Sequence, residues 1–294
     1  MFFLEAGQIY GLIARSKDSD FFQVRVPGSK KKNRWVGSDC GSAHITYDAE
    51  ASIKVQRDTI ENTLAASWQP SFCSTKRGET NKGCTTLQSG EPATRQFSLH
   101  GLWPDDLNTL AIFPCNCHLP KGPTSCWKNS GTNEPIDISD ELEKRLSEKM
   151  PGSRGDLENH EWTKHGTCYE QFITGPDAGS DDDEYFEDSL LVLDQLNASP
   201  IQKLFEDRIG EQLTALEIMT AFDEAFGQGA GDRVQVVCEK SADGTVTMIE
   251  QLYIGLSGTI EANSDLSQLI LAAPPLEEAT REKPCQSGLV ARWP

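Results

Sequence analysis

The sequence predicts an α+β fold, in which several helices flank a central antiparallel sheet. Disulfide bonds hold this fold together, and a small N-terminal β arm or module precedes it. Strand-like and helix-like segments do not alternate regularly along the 294 residues, which disfavours a doubly wound parallel sheet. Nine cysteines without a C-x-x-C pair are typical of a disulfide-bonded protein from an oxidising compartment. A chain with 37% hydrophobic and 24% charged residues has a globular composition.

The N-terminal segment contains short β elements. Phe22–Val26 alternates apolar and polar residues, and Arg34–Val36 begins another strand. The basic residues between them, Lys30–Lys32, are interpreted as a solvated turn, with contact to RNA phosphates as the alternative. We therefore predict an arm or small β module over residues 1–42 and a main domain over residues 43–294.

The main domain begins with a strand-like stretch between residues 44 and 70. Helix-capping residues then mark three helices, which begin near Ser139, Ser199 and Thr214. Pro151, Gly210 and Gly227 mark the ends of these helices. The remaining predicted elements are an apolar helical stretch and two paired strands: Tyr185–Leu196, Val234–Cys238 and Thr245–Leu256.

The net charge is −18, and it is unevenly distributed. Residues 1–135 carry 15 basic and 13 acidic residues, whereas residues 136–294 carry 12 and 32. The acid-rich stretch Asp177–Asp188 is interpreted as a solvated loop, because it lacks the spacing of a calcium loop. The charge excludes tight, non-specific binding along nucleic-acid duplexes, which needs a basic footprint. It permits a weakly held RNA strand bound by a few local cations.

Three of the five histidines fall in two compact clusters. The first cluster reads F-S-L-H-G-L-W-P-D and contains His100; the second reads H-E-W-T-K-H-G-T-C and contains His160 and His165. Together with Glu161 and Lys164, these histidines can supply an acid, a base and cationic groups for one anionic substrate.

Helical geometry sharpens this interpretation for the second cluster. At about 100° per residue, His160, Glu161, Lys164 and His165 share one side of a helix, while Trp162 and Thr163 point away from that side, towards the core. The i,i+4 spacing predicts that the Glu161 carboxylate orients the His165 ring or raises its pKa. The same spacing makes His160 and Lys164 a pair of cations suited to a phosphate.

Three alternatives compete with this interpretation. A metalloprotease helix needs H-E-x-x-H, but the spacing here is H-E-x-x-x-H, which separates the rings by about 140°. A purely structural role for all three histidines is disfavoured, because packed histidines rarely cluster with lysine and glutamate. Cys115, Cys117, His118 and Cys126 could bind zinc, although disulfides or a loop thiol are favoured.

The two clusters resemble the two active-site boxes of the ribonuclease T2 family, in the same order and about 60 residues apart. The resemblance covers roughly residues 60–290 and is strongest to the bacterial ribonuclease I-like branch, as in the stretch W-Q-P-S-F-C at residues 68–73. It implies an α+β, metal-independent endoribonuclease of single-stranded RNA with little base specificity. The implied products are 2′,3′-cyclic phosphates and then 3′-phosphates.

The resemblance also implies a role for each residue of the boxes. His165 matches the general base that takes the 2′-OH proton, and His100 matches the general acid that protonates the leaving oxygen. His160 would hold the phosphate, while Glu161 and Lys164 would stabilise the pentacoordinate intermediate.

Beyond the boxes, the resemblance implies base contacts and disulfides. Trp103 and Asp105 match base-binding positions, with core packing as the alternative for Trp103. The implied disulfides are Cys126–Cys168, Cys238–Cys285 and Cys73–Cys84. Pairing of Cys40 with Cys115 or Cys117 would staple the arm to the main domain.

These observations also predict the partners and location of the protein. RNA is the expected partner, cleavage of DNA is not expected because DNA lacks the 2′-OH, and the chain is expected to be a monomer. No cofactor, metal or membrane is expected, since no apolar run approaches the ~20 residues of a membrane-spanning helix. We expect a periplasmic or secreted location. Because Met1–Glu5 does not resemble a secretory signal, we also expect that the signal is not part of this sequence. The alternative function is an inactive RNA-binding or interaction protein on the same scaffold.

Overall fold

A computed structural model describes residues 11–15, 21–25, 33–37, 61–105, 107, 115–117, 133, 135–169, 181–276 and 285–293. The chain divides into two compact units, Met1–Arg57 and Asp58–Pro294. The predicted domain boundary between residues 42 and 43 lies outside the described residues, as do Lys30–Lys32, His44 and His118. That boundary stays a prediction.

The first unit contains a three-stranded antiparallel sheet in the order β1-β2-β3. Its strands are β1 (Gly11–Arg15), β2 (Phe21–Arg25) and β3 (Asn33–Gly37). The two β segments predicted for this part of the chain correspond to β2 and β3. β1 lies in a stretch for which the sequence analysis singled out no element.

The second unit is built on a six-stranded sheet in the order β5-β4-β8-β9-β6, with β7 also paired to β8. All its pairings are antiparallel except the short contact between β8 and β9. The strands are β4 (Glu61–Trp68), β5 (Phe97–Asp105), β6 (Gln212–Thr214), β7 (Val234–Lys240), β8 (Thr247–Ser257) and β9 (Ser287–Leu289).

Eight α-helices are described around this sheet, which confirms the predicted α+β class. They are α1 (Gln69–Cys73), α2 (Lys82–Thr85), α3 (Asp140–Lys149), α4 (Leu157–Lys164), α5 (Asp182–Asn197), α6 (Pro200–Asp207), α7 (Ala215–Phe226) and α8 (Leu266–Ala272). Among the described residues, no helix is both long and apolar enough to cross a membrane.

The capping residues explain where three helices begin. The Ser139 side chain accepts a hydrogen bond from the Leu142 N–H at the start of α3. Ser199 caps α6 in the same way, and Thr214 forms a reciprocal capping box with Glu217 at the start of α7. These predicted starts are confirmed, whereas α6 ends at Asp207, before the predicted Gly210.

The acidic run was predicted to be a solvated loop, and for its described part this prediction is wrong. Asp181 caps α5 through the Glu184 N–H, and the first turn of the helix contains Asp182, Asp183 and Glu184. Carboxylates are favourable at this position, because a helix N-terminus presents unpaired N–H groups and the positive end of the helix dipole. The run therefore starts a helix.

A large apolar core lies on one face of the central sheet. Helices α5, α6 and α7 contribute Phe186, Phe205 and Phe222, all fully buried, and β4 contributes Trp68. A smaller cluster contains Ala65, Trp103, Val237 and Tyr253. Since Leu64 belongs to the large core and Ala65 to the smaller cluster, alternation along β4 places the two clusters on opposite faces of the sheet. His100 and His165, one from each sequence box, both pack against Trp103 of the smaller cluster.

Candidate active site

A β-bulge in β5 sets the direction of the His100 side chain. In the pairing of β5 with β4, Gly101 lies opposite Ala65 and Leu99 lies opposite Ala66, so His100 is the extra residue. A bulge of this kind bends the strand and re-aims a side chain, and such bulges are common beside active sites.

The bulge places His100 and Trp103 on the same face of the sheet. In a regular strand, residues three positions apart face opposite sides, but the rings of His100 and Trp103 meet edge to face with centroids 5.3 Å apart. On the other face, Leu99 and Leu102 both belong to the large core. The one extra residue therefore lets Leu99 and Leu102 face the core while His100 and Trp103 face the site.

The second box forms α4 and the turn that follows it. The helix ends at Lys164, and His165 is its C-terminal cap. Trp162 packs against Tyr185 of the large core, and Thr163 is buried, as predicted from the helical angles. Glu161 and His165 are also buried, with 2% and 3% of their surface exposed, although the sequence placed them on the side away from the core.

The Glu161 carboxylate connects the two boxes. Its Oε2 atom accepts a hydrogen bond of 2.7 Å from Nε1 of Trp103, and its Oε1 atom lies 3.6 Å from Nε2 of His100. The sequence paired Glu161 with His165 on the same helix. The structure brings the Glu161 carboxylate to His100 and Trp103, because α4 packs against β5. The carboxylate is thus held in position beside the proposed general acid.

Trp103 lies at the centre of the cluster. Its ring stacks on His165 with centroids 5.3 Å apart and planes 26° apart, and it meets Tyr253 edge to face at 5.1 Å. Only 8% of Trp103 is exposed. These contacts correspond to the packing role that the sequence left open as the alternative. Stacking of a base on Trp103 stays a prediction.

Asp105, the second predicted base-binding residue, is also buried. Its carboxylate accepts a hydrogen bond of 3.0 Å from the Thr63 hydroxyl on the neighbouring strand, and 3% of its surface is exposed. Asp105 therefore contributes to the pairing of β4 with β5. A contact with a base stays a prediction for this residue.

His160 and Lys164 are the more accessible members of the second box, since both are partly exposed. Burial lowers the pKa of the His160 imidazole, while the Glu161 carboxylate raises this pKa and the Lys164 and His100 cations lower it. The net effect is a reduced pKa. His160 is therefore more readily neutral than a solvated histidine.

Two residues of the site were missed by the sequence analysis, and both come from β8. Gln251 Oε1 lies 3.0 Å from Nδ1 of His100, and Tyr253 packs on Trp103. Both are buried. The one signal that could have pointed to Gln251 is the polar pair Glu250–Gln251 inside the otherwise apolar strand between Ile249 and Leu256.

Gly101 is required by the close approach of Glu161 to β5. A Cβ atom at position 101 would lie 2.1 Å from Oε2 of Glu161 and 2.8 Å from Nε1 of Trp103. Gly101→Ala is therefore expected to break the hydrogen bond between these side chains. Because a displacement of about 1 Å in an active site can reduce rates by up to 10²-fold, we expect kcat for RNA cleavage to fall roughly 10–10²-fold.

Gly155→Ala is the matched control for this variant. A Cβ atom there would lie 3.6 Å from the Lys82 Cβ, which is an ordinary van der Waals contact, so kcat should not change. Native kcat in a folded Gly101→Ala protein would show that the bond between Glu161 and Trp103 is not needed for catalysis.

Disulfide bonds join Cys73 to Cys84, Cys117 to Cys168 and Cys238 to Cys285. The first and third match the pairings implied by the resemblance, but the implied Cys126–Cys168 bond is wrong. Cys117 reaches Cys168 because the Asn116 N–H donates to the Lys164 carbonyl and the Cys117 N–H donates to the Thr167 hydroxyl. Cys126 and Cys40 lie outside the described residues.

These bonds also bear on the zinc alternative. Cys115 is itself disulfide-bonded, so neither Cys115 nor Cys117 offers a thiolate to a metal. Within the described ranges, the acidic side chains close enough to share a cation are Asp181, Asp182 and Asp183. All three already accept backbone N–H groups: Asp181 from Glu184, Asp182 from Asp137 and Asp183 from Ser139.

The fold and the site together define a class of protein. Two histidines from separate elements meet around a buried carboxylate and a tryptophan, with a third histidine and a lysine beside them, on a disulfide-bonded α+β scaffold. This arrangement is suited to acid–base chemistry on an anionic substrate.

Comparison with known proteins specifies the class. The family model described as Ribonuclease T2 family matches residues 62–270, and the chain therefore belongs to that family. It is a ribonuclease, as predicted, of a family of metal-independent RNA-cleaving enzymes.

Relatives from bacteria and plants are similar to this chain. Ribonuclease I of Escherichia coli (strain K12) is 26% identical over 226 residues, which cover 70% of this chain and 80% of that protein. Extracellular ribonuclease LE of Solanum lycopersicum is 28% identical over 65% of this chain and 74% of its own length. A crystal structure of RNase NT in complex with 5′-AMP matches with a TM-score of 0.50 at 22% identity, covering 79% of this chain and 98% of that chain. This last likeness supports the fold.

Proposed function

We propose that this endoribonuclease cleaves single-stranded RNA by transesterification. The ribose 2′-oxygen attacks the adjacent phosphorus, so that a bond from phosphorus to the 2′-oxygen forms and the bond to the 5′-oxygen breaks. The products are a 2′,3′-cyclic phosphate and a free 5′-hydroxyl. Water then opens the cyclic phosphate to a 3′-phosphate.

Each proton transfer has a proposed residue. His165 takes the proton of the 2′-hydroxyl as general base, and His100 gives its proton to the leaving 5′-oxygen as general acid. In the hydrolytic step the two roles are exchanged, because water now enters where the 5′-oxygen left. His160 holds the phosphate, while Glu161 and Lys164 stabilise the pentacoordinate intermediate.

The observation that carries this proposal is the cluster around Glu161. One carboxylate lies within 3.6 Å of His100 and is hydrogen-bonded to Trp103, whose ring stacks on His165. The proposed acid and base therefore flank one tryptophan. Because the nucleophile belongs to the substrate, the reaction can proceed with protein groups alone.

The substrate range follows from the same chemistry. DNA lacks the 2′-hydroxyl and cannot supply the nucleophile, so we propose that it is not cleaved. Little base specificity is proposed, since no step requires a particular base. A periplasmic or secreted location and a monomeric state are also proposed. The location is supported by the disulfides, which form and persist in oxidising compartments.

Digestion of mixed-sequence RNA in EDTA tests the proposal. We expect cleavage to continue and the fragments to end in 2′,3′-cyclic phosphates that convert to 3′-phosphates. The same sequence made with 2′-O-methyl riboses, and its DNA equivalent, are expected to remain intact. Fragments with 5′-phosphate ends, or cleavage of the methylated strand, would refute the mechanism. RNA binding without any cleavage would favour the inactive binding protein.

A further inference from the structure

We infer that Gln251 is a positioning residue that fixes the proton-bearing nitrogen of His100, an inference that rests on the proposed role of His100 as general acid. Gln251 lies in β8, in neither of the two sequence boxes. It keeps Nδ1 of His100 protonated, so that the exchangeable proton is carried by Nε2, the nitrogen that faces Glu161.

The contact between the two side chains has a defined direction. Oε1 of Gln251 lies 3.0 Å from Nδ1 of His100. An amide oxygen only accepts hydrogen bonds, so the Nδ1–H group of His100 must donate. In neutral His100 the proton is therefore on Nδ1, and Nε2 is the nitrogen that gains and loses a proton during the reaction.

Burial makes this contact a fixed one. Gln251 is 7% exposed and sits in a central strand, where it pairs with Ser67 of β4 on one side and Val237 of β7 on the other. Burying an amide group is costly unless it is hydrogen-bonded. Two strands thus hold the acceptor in place while His100, at the bulge of β5, is partly exposed to substrate.

A charged group, the Glu161 carboxylate, lies beside the other nitrogen of His100. Oε1 of Glu161, from α4, lies 3.6 Å from Nε2. His160 of the same helix is close enough for its pKa to be lowered by the His100 charge, and Lys164 lowers it further. Gln251 is the neutral partner of His100, and it sets the tautomer without adding charge. The proton on Nε2 can then be delivered to the leaving oxygen.

Two substitutions separate this role from a purely structural one. Gln251→Leu removes the acceptor at nearly constant volume. We expect kcat to fall roughly 10–10²-fold, by analogy with the loss of a residue that orients a metal-binding histidine, with less than about threefold change in KM. Gln251→Glu keeps an oxygen at the same place and adds a negative charge. It should retain kcat within a few-fold and move the alkaline limb of the pH profile to higher pH, because an anion favours protonated His100.

Nitrogen-15 NMR of histidine-labelled protein gives a readout independent of activity. At high pH, neutral His100 should be protonated on Nδ1 in the native protein and in Gln251→Glu, whereas Gln251→Leu should show protonation on Nε2. His100→Ala identifies the resonance.

Gln202→Leu is the matched control. Gln202 is a buried glutamine of α6 that donates a hydrogen bond to the Arg95 carbonyl, so its loss tests the cost of removing a buried amide. It should lower thermal stability and leave the pH profile unchanged. If both Gln251 variants keep the native pH profile and tautomer, the inference is overturned, while cleavage of RNA to cyclic phosphates by the native protein would leave the proposed function standing.

Discussion

Removing His100 is expected to slow RNA cleavage roughly 10²–10⁴-fold, the usual contribution of a general acid or base. The loss should depend on the leaving group. A 5′-oxygen must be protonated as it departs, but a sulfur atom in its place departs as a thiolate without help. His100→Ala is therefore expected to cleave a substrate with a bridging 5′-sulfur within about tenfold of the native rate.

His165→Ala is the counterpart of this experiment. The 2′-hydroxyl must lose its proton whatever the leaving group, so this variant should lose a similar factor on both the oxygen and the sulfur substrates. The rates are measured with matched dinucleotides under single-turnover conditions. Because His165 is buried against Trp103, its replacement could also destabilise the fold. The thermal unfolding of the His165→Ala variant is therefore recorded in parallel, and His165→Gln provides a less disruptive replacement. The opposite pattern, with rescue of His165→Ala only, would exchange the two roles.

Local signals explain why most of the fold could be predicted from the sequence. Ser139, Ser199 and Thr214 act on backbone groups two or three residues away, so each helix start is visible in a short window. The acidic run was misinterpreted because charge alone does not distinguish a solvated loop from the first turn of a helix. Here the deciding residue is Asp181, which caps the apolar helix that follows.

The structure brings residues of the two boxes together, but the sequence did not predict the contacts between them. The long boxes identified His100, Glu161 and His165, yet their distances depend on how α4 packs against β5. The bulge at His100 did leave a trace, since the apolar residues Leu99 and Leu102 are three positions apart and cannot both face the core in a regular strand. The contact of Gln251 could hardly be predicted from the sequence, because its partner His100 lies 151 residues away.

The disulfide at Cys168 likewise could not be predicted from the sequence, because its pairing depends on contacts between distant parts of the chain. Spacing along the chain allows Cys168 to pair with either Cys117 or Cys126, and the resemblance implied Cys126. The choice is made by two hydrogen bonds that hold residues 116 and 117 against the turn after α4. That turn begins at His165, whose carbonyl accepts a hydrogen bond from the Cys168 N–H.

Cys117→Ser is therefore expected to lower stability markedly. The bond closes a loop between residues 51 positions apart, and a cross-link of this span typically stabilises a protein by about 2–4 kcal/mol through the reduced entropy of its unfolded chain. For a chain of this size, the midpoint of thermal unfolding should fall by roughly 5–10 °C.

Non-reducing peptide mapping of the native protein tests the connectivity on which this expectation rests. A peptide containing Cys117 should be linked to the peptide containing Cys168, and in Cys117→Ser the alkylation of free thiols should label Cys168. Cys126→Ser serves as the control, and in this variant Cys168 should remain unlabelled. A linked Cys126–Cys168 peptide would instead support the pairing implied by the resemblance.

Because the bond between Cys117 and Cys168 anchors the turn that carries His165, Cys117→Ser should also lose RNA cleavage at a lower temperature than the native protein.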